Sequence, residues 1–192
     1  DRRYALTYNG EVYNHAEIRA ELEALGHQFR SKTDSEVVLL SWVQWGQECV
    51  NRLNGIFAFA VWDSVNEALH LVRDRYGTKP LYYFATDRMV VFASEMKAIL
   101  QHPDVRPLVD EKALLEYLTF QNFFTGKTLL KSIELVPSAT IMTFTSTTRR
   151  SVSTKYWDFL FDGDGQNIDS HEWEIELDRL IRRAVSRQLM SD

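Results

Sequence analysis

The amino-acid sequence predicts an α+β fold, with helices packed on the faces of a mainly antiparallel sheet. Three observations carry this expectation. Amphipathic helical patterns come first, between residues 14 and 53. A strand-rich block broken by turn residues follows, over 56–93. Helical patterns then return at 94–100 and 110–118 without alternating strand by strand, which argues against βαβ units and a parallel sheet.

Each element has a local reason. Tyr4, Leu6 and Tyr8 alternate with smaller residues, as in a strand with one buried face. Asn9-Gly10 follows, the dipeptide that most strongly signals a hairpin turn. Whether it is only a turn, or a turn that holds a reaction, is left open by the residues themselves. Asn14 stands three residues before Glu17, and Thr33 three before Glu36, the spacing of reciprocal helix caps. Ile18, Leu22 and Leu25 share one helical face, and Gly26 closes that helix. The next helix turns Val37, Leu39 and Leu40 inward and stops at Trp45-Gly46, and a short helical piece around Cys49 and Val50 ends near Asn54-Gly55.

Residues 56–62 are almost continuously apolar, as in a central strand buried on both faces. Residues 68–72, 81–85, 89–93 and 139–145 read as further strands, and 146–154 as a polar, exposed hairpin tip. The Gly- and Asp-rich stretch 161–169 is the linker candidate. A last amphipathic helix over 170–189 sets Leu180, Ile181 and Ala184 against Arg179, Arg182, Arg183 and Arg187. Both ends read as interrupted elements, so the chain is expected to be a fragment.

Composition narrows the function. The 192 residues are 45% hydrophobic, enough for the core of one domain or of one domain plus the start of another. The net charge of −5, with both signs interspersed, leaves no basic stripe for nucleic acid. No apolar run is long enough to cross a bilayer, and no signal peptide opens the chain, so no membrane partner is expected. One cysteine, Cys49, rules out an internal disulfide and suits a reducing compartment, with the cytoplasm as the expected location. Set among Val50 and Leu53, it reads as a small core residue and a poor nucleophile. His171-Glu172 lacks the second histidine of a zinc helix, and no Gly-rich phosphate loop is present. No metal or cofactor is therefore expected in this stretch.

Three segments remain: NGEVYNH at 9–15, TDSEVVLL at 33–40, and the block from Leu53 to Leu100. Their order and spacing resemble the glutamine-hydrolysing half of the asparagine synthetase B family, a class II glutamine amidotransferase. Asn9, Gly10, Glu11, Tyr13 and Asn14 match the family's Asn-Gly-Glu-x-Tyr-Asn; Thr33, Asp34, Glu36 and Val37 match its Ser/Thr-Asp-x-Glu-Val. Residues 73–83 match Arg-Asp-Arg-x-Gly-x-Lys-Pro-Leu-Tyr-Tyr, and Ser94-Glu95 with Lys97-Ala98 follow in place. Thr78 replaces an aliphatic residue, and Val136-Pro137-Ser138 replaces Pro-Pro-Gly.

The resemblance implies the amino-terminal-nucleophile hydrolase sandwich, two antiparallel β-sheets between α-helical layers. It implies residues 1–160 as a type 2 amidotransferase domain lacking its amino-terminal part, 161–169 as linker, and 170–192 as the start of an ATP-binding synthetase domain. Asn9 and Gly10 would form the oxyanion hole through a side-chain amide and a backbone N–H. Together with Glu11 and Asp34 they would bind glutamine, with Asp34 holding the substrate's α-ammonium. On the residues alone, helix capping by Asp34 is an equal reading. Residues 73–79 are expected to be structural, as an ion-pair network or an anchored loop. The family's nucleophilic cysteine is not among these residues, so the stretch by itself is expected to be inactive. ATP and Mg2+ would serve the synthetase domain, and a homodimer is compatible with the family. An amidotransferase serving a sugar or peptide carboxylate, and a non-catalytic scaffold of the same fold, are the alternatives.

Overall fold

The computed structural model describes residues 3–146, 151–161 and 169–189. Strand β1 (Tyr4–Val12) leads into helices α1 (His15–Ala24), α2 (Asp34–Trp45) and α3 (Cys49–Arg52). Strands β2 (Gly55–Asp63), β3 (Ala68–Arg73), β4 (Tyr82–Ala85) and β5 (Val90–Ala93) follow, then α4 (Met96–Ile99) and α5 (Glu111–Phe120). The chain continues with β6 (Ile133–Leu135), β7 (Thr140–Thr145), β8 (Ser151–Lys155) and α6 (Ser170–Gln188). The strands form a five-stranded sheet in the order β1-β2-β3-β7-β8 and a three-stranded sheet in the order β5-β4-β6. Every pairing is antiparallel.

The expected layers are present, and β2 shows why. Its residues alternate between two covered faces, which is the reason for its nearly continuous hydrophobicity. Phe57, Phe59 and Val61 face α1 and α2, where they pack with Ile18, Leu22, Val37, Val38 and Trp42. Ala58 and Ala60 face the other way, joining Leu71, Leu81, Val136 and Met142 between the two sheets. Alanine at those positions lets the sheets approach. Trp62 departs from the pattern at 42% exposure, because the inter-sheet space opens beside it. The outer face of the small sheet is closed by Ile99, Val105 and Leu130. Fully burying each of these large side chains contributes about 1.5–3 kcal/mol.

Four local expectations are corrected. Asn9-Gly10 is not a hairpin turn: both residues lie inside β1, paired with Ala58 and Phe57, and neither takes a left-handed conformation. Glycine is needed there for contact, since a Cβ on Gly10 would sit 2.3 Å from the Ile56 oxygen and 2.6 Å from the Phe57 Cα. Asn14 and Thr33 do occupy cap positions, but neither makes a side-chain cap bond. The Asn14 amide instead bridges Arg52 O and Asn54 N, and Glu36 turns back to Arg30 N and Ser31 N. The buried face of α2 is Val37, Val38, Ser41 and Trp42, with Leu39 and Leu40 half-buried. Residues 151–154 form most of β8 rather than a hairpin tip, because the β7 edge offers them a ladder of backbone bonds. The linker expected at 161–169 falls mostly on 162–168, outside the described residues.

Candidate functional site

Asn9, Gly10 and Glu11 are consecutive in β1, an edge strand of the large sheet. Strand alternation puts Asn9 and Glu11 on the face shared by Ala5 and Thr7, toward the second sheet. Ala5 and Thr7 line a cleft of about 630 Å³ between the sheets, together with Trp62 on the neighbouring strand and with Met89 and Phe92. Asn9 is the next residue of that face. Its Nδ2 donates to Ser94 Oγ at 3.2 Å, from the junction between β5 and α4.

The direction of the Gly10 N–H follows from its neighbour across the ladder. Phe57 is the register partner of Gly10. Phe57 N donates to Asp74 Oδ2 at 3.2 Å, and Phe57 O accepts from Asp74 N at 2.9 Å. Both polar backbone groups of Phe57 therefore point toward β3, and Gly10–Phe57 is a non-hydrogen-bonded pair. The N–H of Gly10 consequently points outward from the edge of the sheet. The same parity carries the N–H of Val12 outward, where Asp34 Oδ2 accepts it at 3.0 Å. A side-chain amide and an outward backbone N–H thus stand on adjacent residues, the pairing that can receive a developing oxyanion.

Asp34 opens α2 and is 8% exposed. Its Oδ2 accepts from Val12 N and, at 2.5 Å, from the Tyr8 hydroxyl. Among the described residues both bonds fall on that one oxygen. Asp34 therefore ties the start of α2 to the two β1 residues flanking 9–11, and the helix-capping reading is replaced by a strand clamp. Glu11 is half-buried, and its carboxylate adds to burial in pushing the Tyr13 phenol above its usual range.

The segment 73–79 is an anchored loop and not an ion-pair network. Asp74, 1% exposed, accepts four backbone N–H groups: Tyr76 and Thr78 on Oδ1, Phe57 and Lys79 on Oδ2. Arg73 donates to the carbonyls of Gly77, Val136 and Lys79, and Arg75 to those of Leu53 and Asn51. Gly77, at φ +65°, lies against the Arg73 guanidinium, 2.9 Å from where a Cβ would stand. Satisfying carbonyls with half-buried guanidinium groups and N–H groups with a buried carboxylate fixes the loop that feeds β4.

Cys49 is fully buried in the helix-side core, and burial pushes its thiol pKa up to about 12. A thiol so placed is not a nucleophile at neutral pH. Among the described residues no three His, Cys, Asp or Glu side chains gather as metal ligands. No helix among them is long and apolar enough to cross a membrane.

Stacked antiparallel sheets between helices, with polar donors on an edge strand, define the amino-terminal-nucleophile hydrolase sandwich of the glutamine amidotransferases. The chain belongs to the family described as glutamine amidotransferase domain, which matches residues 1–157. It is 39% identical over 190 residues to asparagine synthetase (glutamine-hydrolyzing) 3 of Bacillus subtilis, a match covering 98% of this chain and 30% of that protein. It is also 39% identical over 122 residues to asparagine synthetase (glutamine-hydrolyzing) 1 of the same organism, covering 63% and 19%. The chain thus spans about a third or less of the length of these relatives. Among solved structures, the glutamine phosphoribosylpyrophosphate amidotransferase from Bacillus subtilis superposes with a TM-score of 0.57 at 17% identity, covering 82% of this chain and 30% of that one.

All four site residues expected from the sequence, Asn9, Gly10, Glu11 and Asp34, come together around one strand segment. Sequence reasoning missed Tyr8 as the Asp34 partner and Asp74 as the anchor of Phe57. The alternation of Tyr8 explains only its buried face. Ser94 was visible within a motif but carried no role.

Proposed function

We propose that this chain is the glutaminase part of an ATP-dependent asparagine synthetase, hydrolysing glutamine to glutamate and ammonia for the amidation of aspartate. The observation that carries the reading is the outward N–H of Gly10 beside the Asn9 carboxamide. Attack on the glutamine amide turns its carbonyl oxygen into an oxyanion, and two donors fixed beforehand stabilise that charge without reorganising. Asp34, half of whose carboxylate is committed to β1, leaves Oδ1 for the substrate's α-ammonium, a charge-assisted contact. Glu11 adds a second carboxylate on the Asn9 face. The nucleophile would be an amino-terminal cysteine, as the resemblance to the family implies, because Cys49 is buried with its thiol pKa pushed up to about 12.

The relatives are named as glutamine-hydrolysing asparagine synthetases and are about three times as long or more, which supports aspartate as the acceptor and a second domain on the same chain to receive the ammonia. That domain would begin at α6, with 161–169 as linker. ATP and Mg2+ would serve that domain, and no step in this chain is routed through either. Cytoplasm suits a chain whose single cysteine is a reduced core residue.

The test is glutamine hydrolysis by the complete protein. Asn9→Ala should lower kcat about 10²–10³-fold, the usual cost of one oxyanion donor. Asp34→Asn should act mainly on KM. Unchanged kcat in Asn9→Ala would remove the proposal.

A further inference from the structure

We infer that Ser94 is a positioning residue that holds the Asn9 carboxamide in its productive orientation. The inference rests on the glutaminase reading above and adds to it a residue from the opposite sheet. Asn9 sits on an exposed position of an edge strand, and a terminal amide torsion is broad and roughly two-fold. An amide in that position does not fix its own donor. Ser94 Oγ, 3.2 Å from Asn9 Nδ2, takes one of the two amide hydrogens and so sets the plane of the group. The second hydrogen on the same nitrogen is left for the oxyanion.

The contact has a structural logic. The two residues are 85 positions apart, one on β1 of the large sheet and the other just beyond β5 of the small sheet. The small sheet is held in place through Leu81, Tyr83 and Phe92 in the inter-sheet core. Beyond Ser94, α4 is anchored by Ile99, which is fully buried. The serine hydroxyl is therefore carried by packed structure, while the Asn9 carboxamide it contacts stands at an exposed position. Each donor of the pair has its own support: Gly10 through the Phe57–Asp74 bonds, and Asn9 through Ser94. A neutral contact of this kind that aligns a group in the transition state, with no contact to substrate, acts on kcat more than on KM.

The experiment is a double-mutant cycle on the complete protein, measuring steady-state glutamine hydrolysis. Ser94→Ala should lower kcat about tenfold with KM changed less than about twofold. Ser94→Thr, which keeps the hydroxyl, should restore most of the rate. In an Asn9→Ala background, Ser94→Ala should cost nothing further, because the group it orients is gone. Wild-type kcat in Ser94→Ala, or full additivity with Asn9→Ala, overturns the inference. If Ser94→Ala lowers the urea midpoint, Ser94→Cys replaces it in the cycle, keeping the volume with a much weaker acceptor. Failure of the underlying glutaminase reading is separately visible, as an Asn9→Ala enzyme with unchanged kcat.

Discussion

The Asp74 carboxylate accepts the backbone N–H of Phe57, the residue that faces Gly10 across the β1–β2 ladder. One buried side chain therefore fixes both a loop and the strand against which the Gly10 donor is set. Asp74→Asn replaces one of two acceptor oxygens with an NH2 group. Whichever oxygen is lost, two backbone N–H groups face a donor instead of an acceptor. At roughly 1–3 kcal/mol per unsatisfied group, the variant should lose about 2–6 kcal/mol. Urea unfolding of the variant beside the wild type measures it; a loss under about 1 kcal/mol would show that the loop finds other acceptors.

Gly10 makes the complementary prediction from the other side of the ladder. Gly10→Ala would place a Cβ 2.3 Å from the Ile56 oxygen, a backbone atom that no rotamer change can move aside. The strands would have to separate, at a cost at the upper end of the ~1–3 kcal/mol usual for overpacking. Gly55 is the matching case, with its own Cβ position 2.2 Å from the Glu11 oxygen. Separation also moves the Gly10 N–H, so glutamine hydrolysis by the complete protein should fall even under conditions where the variant stays folded. Wild-type activity in folded Gly10→Ala would detach this glycine from catalysis.

How far the sequence was legible depended on whether a signal was local. Helices α1 and α2 and the apolar run of β2 follow from periodicity, and the structure has them within a residue or two, whereas β1 alternates as expected from Tyr4 but runs on through the expected turn to Val12. The Asn9-Gly10 dipeptide misled because its hairpin preference comes from φ > 0, whereas here glycine answers a tertiary demand, the close approach of Phe57. Asp34 was legible as a helix-start aspartate and as a site residue, but not as a clamp on Tyr8 and Val12, 26 and 22 positions away. Strand β6 has only three residues and β8 is exposed along its length, so neither carries a hydrophobic pattern to read. Arg73, Asp74 and Arg75 suggested ion pairs from charge alone; their backbone partners exist only once the chain has turned.

The stability contributed by the Asp63–Arg3 corner should fall away in acid. Arg3 grips the Asp63 carboxylate through Nε at 3.0 Å and Nη2 at 2.8 Å. With further bonds from Val65 N, Asn66 N and the Asn66 side chain, this holds the Asp63 carboxyl well below the usual carboxylate range. A carboxyl whose folded pKa is depressed contributes stability that is present above its unfolded value, near ~3.9, and is lost as pH falls toward the folded value. Asp63→Asn should therefore be less stable than wild type at pH 7. The two urea midpoints should converge as pH is lowered below about 4. Midpoints that stay equally far apart down to pH 2 would place the effect in shape rather than charge.

Cys49 separates the nucleophile from the only thiol in the chain. The residue is fully buried with its pKa pushed up to about 12, so at pH 7–8 its thiolate population is negligible and the sulfur is inaccessible. In the complete protein it should resist a thiol reagent in the native state and react once urea unfolds the domain. Cys49→Ala removes a small buried group beside Val50 and Leu53, which should cost about 1–2 kcal/mol of stability. Glutamine hydrolysis by the folded variant should be unchanged, and its inhibition by a thiol reagent should persist through the proposed amino-terminal cysteine. Loss of hydrolysis in folded Cys49→Ala, or native-state labelling at this position that tracks inactivation, would instead put the reacting sulfur in the core of α3.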